Sequence, residues 1–208
     1  MPFGASSRKE RGDETHDETH LGICAADGAG TRRLLRRRQG TAPGWEESWV
    51  QIAGYVGVEP LDGFTLNESN DVLSVSGLYY AAWTSGDGQD FVNADGNEAV
   101  VYDAQIYVLL EECRSGSAAE EAVGTWIARE KQSYETGEAC TKAFGAQDFQ
   151  VLPLISGSAD NPYTHGTAAF AARDEWAISV ELMCADSFEG DSQAILEQFL
   201  AGFHYSEE

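Results

Sequence analysis

Basic residues are scarce: 13 Lys and Arg stand against 35 Asp and Glu in 208 residues, a net charge of −22. The scarcity is uneven. Residues 1–40 hold eight of the bases (Arg8, Lys9, Arg11, Arg32, Arg33, Arg36, Arg37 and Arg38) against six acids. The rest therefore holds five bases against 29 acids, a net of −24. A domain of that sign repels phosphate backbones, which argues against nucleic-acid binding by the folded part. It fits a soluble monomer, and it fits a protein partner or a basic ligand. Long apolar runs are missing too: no stretch approaches the roughly 18–20 consecutive apolar residues that cross a membrane as a helix. Four cysteines without any Cys-x-x-Cys make no zinc knuckle. Gly-x-Gly-x-x-Gly, a Walker loop and Gly-x-Ser-x-Gly are absent, which removes the usual phosphate cradles and the nucleophile elbow.

What is present divides into a tail and a domain. Residues 1–43 are polar and unpatterned, with a near-repeat Asp13-Glu14-Thr15-His16/Asp17-Glu18-Thr19-His20. Such a segment buries too little apolar surface to offset the entropy of ordering it, so a disordered polar and basic tail is expected there. Residues 44–208 are expected to form a single acidic domain. Arg32–Arg38 resembles the charged start of a signal peptide, but Gln39-Gly40-Thr41-Ala42-Pro43 follows it instead of an apolar core. As written the chain carries no export signal; a misassigned start would restore one, and an exported or cell-surface setting is expected on that condition.

Trp45, Trp49, Ile52 and Val56 recur at helical spacing and predict a short amphipathic helix ended by Gly54 and Gly57. Phe64–Glu68, Val72–Thr84 (with a bulge at Gly77), Ala99–Tyr102 and Ala104–Glu112 read as strands around a loop at Ser85–Gly96. Ser117-Ala118-Ala119-Glu120 has the form of a capping box. Behind it Ala119, Val123, Trp126, Ile127, Glu130 and Tyr134 fall on or near one helical face, and Gly137 marks the stop. Cys140–Phe144, Gln147–Ile155, Tyr163–Arg173 and Trp176–Cys184 predict a meander, with Pro153 placing its strand at an edge or a bulge. Asp191 then caps a helix carrying Ile195, Leu196, Phe199 and Leu200, closed by Gly202. The fold class expected is α/β of the α+β kind: an antiparallel-rich sheet covered by helices on two sides, an α/β/α sandwich.

Candidate chemistry is sparse. His165 stands at a strand start in Tyr163-Thr164-His165-Gly166-Thr167. As a general base it would need a nucleophile and an orienting carboxylate, which sequence does not supply. The loop from Asp87 to Glu98 places hard oxygen donors (Asp87, Asp90, Asn93, Asp95, Asn97 and Glu98) around Gly96, the kind of set calcium requires. Turn chemistry alone also enriches Asp, Asn and Gly in such loops. No cofactor other than calcium is indicated. Strand directions put Cys140 and Cys184 at one end of the sheet and Cys113 at the other. A disulfide, if one forms, would join Cys140 to Cys184, provided their Cα atoms lie within about 7 Å; otherwise the cysteines are small core residues.

Three segments also carry a resemblance: Asp62-Gly63-Phe64-Thr65-Leu66, the Ser-x-x-Glu helix directly after Ala104–Glu112, and Ile195-Leu196-Glu197-Gln198-Phe199-Leu200-Ala201-Gly202-Phe203. With the order of elements over about residues 60–205, the chain resembles the PsbP superfamily of photosystem accessory proteins and the DcrB-like bacterial exported proteins. The resemblance implies a sandwich used for binding or as an accessory domain, with no shared catalytic residues. The resulting expectation is a non-enzymatic binding or accessory domain, exported or at the cell surface. A hydrolase using His165 with a nearby carboxylate is the alternative, and a calcium-stabilised domain is the second.

Overall fold

The computed structural model describes residues 46, 48–70, 77–93, 96–157 and 161–206, with backbone alone at 68–70. The tail expected over 1–43, and Cys24 within it, lie outside the described residues.

The domain opens with a hairpin where a helix was expected. β1 (Val50–Ile52) and β2 (Val56–Val58) pair antiparallel, with Ile52 opposite Val56. Ala53 and Gly54 both adopt left-handed backbone, at φ 58° and 66°, and the Tyr55 N–H bonds the Ile52 carbonyl at 3.0 Å. Two successive positive φ values make the turn whose twist suits antiparallel strands. That turn ends any helix at Ile52, whatever the spacing of the large residues on either side.

β3 (Thr65–Asn70) and β4 (Leu78–Ser85) follow, then β5 (Gln89–Val92), β6 (Glu98–Val101) and β7 (Ala104–Glu112). Gly77 stands before β4 at φ 76°, its carbonyl accepting from the Glu112 N–H at 3.0 Å. The first part of the strand expected from Val72 lies outside the described residues. β5 and β6 pair only with each other, so the expected loop over Ser85–Gly96 contains half of a two-stranded sheet.

α1 (Gly116–Ser133) is capped by Ser115, whose Oγ accepts from the Ala118 N–H at 3.3 Å. The expected cap at Ser117 is thus displaced by two residues. Ser117 lies inside the first turn with its Oγ 3.0 Å from that of Ser115. The helix also stops earlier than Gly137, because Tyr134 is extended and begins β8 (Tyr134–Thr136). β9 (Cys140–Phe144), β10 (Gln147–Gly157), β11 (His165–Arg173) and β12 (Trp176–Cys184) form the expected meander. α2 (Ser192–Ala201) is capped by Asp191, whose Oδ1 accepts from the Ala194 N–H at 3.1 Å, and it ends at Gly202. β13 (Phe203–Tyr205), not foreseen, pairs with β2 to complete a small sheet ordered β1-β2-β13.

The main sheet has eight strands in the order β3-β4-β7-β12-β11-β10-β8, with β9 also on β10, and every pairing is antiparallel. Pro153 does not place β10 at an edge. It faces Thr167 of β11 on one side, while on the other it falls between the end of the β9 pairing at Val151 and the start of the β8 pairing at Leu154. That break is where a missing N–H costs least. One face of the sheet packs through Ile106, Val108, Leu110, Ile178, Val180 and Leu182 on α2 and the small sheet. The opposite face packs through Leu152, Ala168, Phe170 and Ala177 on Ala119 and Trp126 of α1. The fold is therefore an antiparallel α+β sandwich covered on both faces. Each fully buried Leu, Ile or Phe in these layers contributes about 1.5–3 kcal/mol of transfer free energy.

Cys113, Cys140 and Cys184 are free thiols. The expected strand directions hold, but the distance condition for a Cys140–Cys184 bridge fails. β10 and β11 lie between β9 and β12, roughly 14 Å of lateral separation. Cys140 stands opposite Val151, on the row of Ala169 and Val180, four residues along β12 from Cys184.

Candidate functional site

β4 and β12 end, and β7 and β11 begin, at the same end of the sheet, where Ser85, Ala104, Cys184 and His165 fall on one row. The loops there are acidic: Asp87, Asp90, Asp103, Asp186, Glu189 and Asp191 all belong to them or to the hairpin they support. Between the β5–β6 hairpin, the β6–β7 connection and the segment after β12 lies an open cleft of about 200 Å³. Phe91 and Tyr102 supply its rings, Asp90 and Asp103 its carboxylates, and Pro162, Ala185 and Ser187 its far wall.

The cleft is held in shape. Asp103 Oδ1 accepts from Ser187 Oγ at 2.6 Å, and the Asp103 backbone carbonyl accepts from the Ala185 N–H at 2.9 Å. Gly86, at φ 85°, lies against the same carboxyl: a Cβ there would stand 2.2 Å from Asp103 Oδ2. The Tyr102 N–H donates to Tyr163 Oη at 3.3 Å, and Tyr163 Oη donates to Gln105 Oε1 at 2.7 Å. Tyr163 is buried and its hydroxyl is pushed above the ordinary range, mainly by desolvation, so it stays protonated and able to donate. The Asp103 carboxyl and the Tyr102 backbone are thereby tied to segments distant in the chain.

No Lys or Arg among the described residues lines the cleft. Three of the domain's five bases have acid partners of their own: Arg129 faces Glu130, Lys142 bonds Glu197, and Arg173 faces Asp174 while lying over the Tyr205 ring.

His165 sits at the same end but does not line the cleft. Its Nδ1 lies 3.2 Å from Thr164 Oγ1, which donates to Asp186 Oδ1 at 2.5 Å. A carboxylate and a hydroxyl thus gather near the histidine, in an order that does not activate the hydroxyl. The one Thr164 proton points to Asp186, so Thr164 Oγ1 can only accept from the imidazole, whereas a nucleophile must give its proton to the base.

The loop read as a calcium candidate is spread along the hairpin. Asp90 and Glu98 lie on β5 and β6, and Asn93 and Asn97 close the turn between them. Asn93 Oδ1 accepts from the Asn97 N–H at 2.8 Å, so a donor counted for calcium already serves the turn. Asp95 lies outside the described residues. No group of three or more His, Cys, Asp or Glu among the described residues is placed to hold a metal.

No family model matches the chain, and no curated protein matches it. Solved structures do. A crystal structure from Bacteroides thetaiotaomicron VPI-5482 is 12% identical at a TM-score of 0.46, and this chain, covered over 75%, spans about half of it (47%). The cyanobacterial PsbP (CyanoP) of Synechocystis sp. PCC 6803 is 11% identical at 0.36, covering 67% of this chain and 98% of its own. The Saccharomyces cerevisiae Ran-binding protein Mog1p is 13% identical at 0.41, covering 74% and 92%. At such identities and scores no function passes from one chain to another.

Proposed function

We propose that this chain is a non-enzymatic binding domain that takes a basic side chain of a protein partner into the cleft beside Asp103. The observation that carries this reading is the cleft itself: two rings, Phe91 and Tyr102, stand with two carboxylates, Asp90 and Asp103, and no base of the domain lines the space. A guanidinium or ammonium group gains from both, through charge-assisted hydrogen bonds to carboxylate and attraction to ring faces. Asp103, already bonded by Ser187, is a preorganised acceptor. The net charge of −24 beyond residue 40 adds long-range attraction that speeds encounter with a basic surface. An exported or cell-surface setting belongs to the same proposal and rests on that charge, whose self-repulsion salt relieves. The hydrolase alternative is disfavoured by the order of the His165–Thr164–Asp186 hydrogen bonds.

The test is a titration of a fluorescent Arg-rich peptide and its Glu-substituted counterpart. Asp103→Asn and Asp90→Asn should each weaken Arg-peptide binding by about fivefold to tenfold, the worth of one charged contact. Glu120→Gln and Glu121→Gln, on the exposed side of α1, should leave it within about twofold. Equal losses from all four variants would reduce the effect to general surface charge, and equal binding of both peptides would end the proposal.

A further inference from the structure

The opposite face of the sheet holds two acids that the binding reading does not use. Glu130, one turn beyond Trp126 on α1, is buried at 6% exposure within the layer that contains Trp126, Tyr134, Leu152 and Phe170. Glu181 reaches the same layer from β12. It alternates with Val180 and Leu182, which face the other way, and shares its side with Ala177. Its carboxyl accepts from Ser179 Oγ at 2.7 Å.

Few groups are present to neutralise the pair. On α1 itself Arg129 stands with its Nε 3.6 Å from Glu130 Oε1, but its side chain is half exposed, at 51%, and screened. β12 brings Glu181, a like charge. β8 brings Tyr134, whose hydroxyl accepts from Asn161 Nδ2 at 2.7 Å and whose pKa is pushed up to about 12, chiefly by burial; it adds no positive charge. The other acid of β8, Glu135, is exposed. β7 places Tyr107 opposite Glu181 in the register, a phenol that adds no positive charge, and β11 contributes Ala168 and Phe170, neither of which titrates.

We propose that Glu130 and Glu181, the two acids that α1 and β12 bring into this layer, seat the C-terminal end of α1 on the sheet while one carboxyl is protonated and loosen it once both are ionised. The proton enters from solvent as the chain folds and returns there when the pair ionises. Burial gives the direction for both groups, and repulsion by Glu181 adds to it at Glu130. Glu130 is raised to about 7, by desolvation first and Glu181 second, with Arg129 opposing; Glu181 is raised as well, by desolvation first. A carboxyl whose folded pKa lies above its unfolded value binds protons more tightly in the folded state. Its contribution is greatest below the unfolded value of 4.5 and is lost as pH climbs through about 7. Tyr134 also ties this end of α1 to the segment before β11, since its hydroxyl donates to the Tyr163 carbonyl at 3.4 Å. Loosening should therefore reach residues 161–164.

The experiment measures the unfolding equilibrium constant between pH 4.5 and 8.5 for the full chain, Glu130→Gln, Glu181→Gln and the exposed-acid control Glu120→Gln. One proton retained in the folded state makes the wild-type constant rise by up to about tenfold per pH unit between 4.5 and 7, beyond the slope that general charge repulsion gives. Glu130→Gln should lose that extra rise, whereas Glu120→Gln, with the same charge removed, should keep it. A Glu130→Gln slope equal to wild type overturns the proposal. Should the Gln variants fail to fold, carbon-13 titration of the wild-type Glu130 carboxyl replaces them: a midpoint near 7 supports the retained proton, and one near 4.5 overturns the proposal.

Discussion

Ser187 donates its hydroxyl to Asp103 Oδ1 at 2.6 Å across 84 positions of the chain. The contact joins the segment after β12 to the connection between β6 and β7, so a carboxylate on a two-residue link becomes a fixed feature of the cleft. Gly86 makes room for it, since any side chain there would overlap Asp103 Oδ2. Gly86→Ala should cost about 1–3 kcal/mol through its φ of 85°. It should also weaken Arg-peptide binding by displacing Asp103. Chemical denaturation with a parallel titration checks both, and a variant that binds and unfolds like wild type would mean that Asp103 is free to move.

Trp126 is 7% exposed in the layer between α1 and the sheet. Trp126→Ala should cost about 3–5 kcal/mol through lost transfer energy and the cavity left behind. A cost below about 1 kcal/mol, read from the denaturation midpoint at unchanged slope, would contradict this packing.

The cysteines should react in an order set by their surroundings. Cys184 is fully buried, and desolvation pushes its thiol up to about 12, so almost no thiolate exists at neutral pH. Cys140 is exposed. Mass mapping after brief alkylation of the native protein should find Cys140 modified and Cys184 intact, with reductant leaving the melting temperature unchanged. A Cys140–Cys184 cross-linked peptide would contradict the strand order.

Calcium should leave the melting temperature within about a degree of its value in chelator, because Asn93 Oδ1 is committed to the turn that Asn97 closes. Anything that binds the native state alone raises stability by mass action. A rise of several degrees in millimolar calcium would establish a ligand set around that turn.

Features that depend on neighbours in sequence were legible. The strand Trp176–Cys184 and the helix between Asp191 and Gly202 occupy the residues their patterns indicated, since capping and periodicity are local. Val50–Ile52 was misread because Trp49, Ile52 and Val56 happen to fit a helical face. Ala53 in left-handed backbone breaks that face, and β13, the strand that completes the small sheet, comes some 150 residues later. The shift of the α1 cap from Ser117 to Ser115 is a contest between two serines in one turn. Of the candidate residues, Asp90 lines the cleft, while Tyr102, Asp103 and Ser187 were not foreseen. They meet only through the order of distant strands, and no spacing records that. Glu130 and Glu181 did leave a signal, an acid on an apolar helix face and another inside an apolar strand.

Basic groups should bind at the cleft rather than anywhere on an acidic surface. Amide chemical shifts followed while an Arg-rich peptide is added test it most directly. The largest changes should fall at Phe91, Tyr102, Asp103 and Ser187, shrink in Asp103→Asn, and diminish with salt. Changes spread evenly over α1 and the β10–β11 face, unaltered by Asp103→Asn, would contradict it.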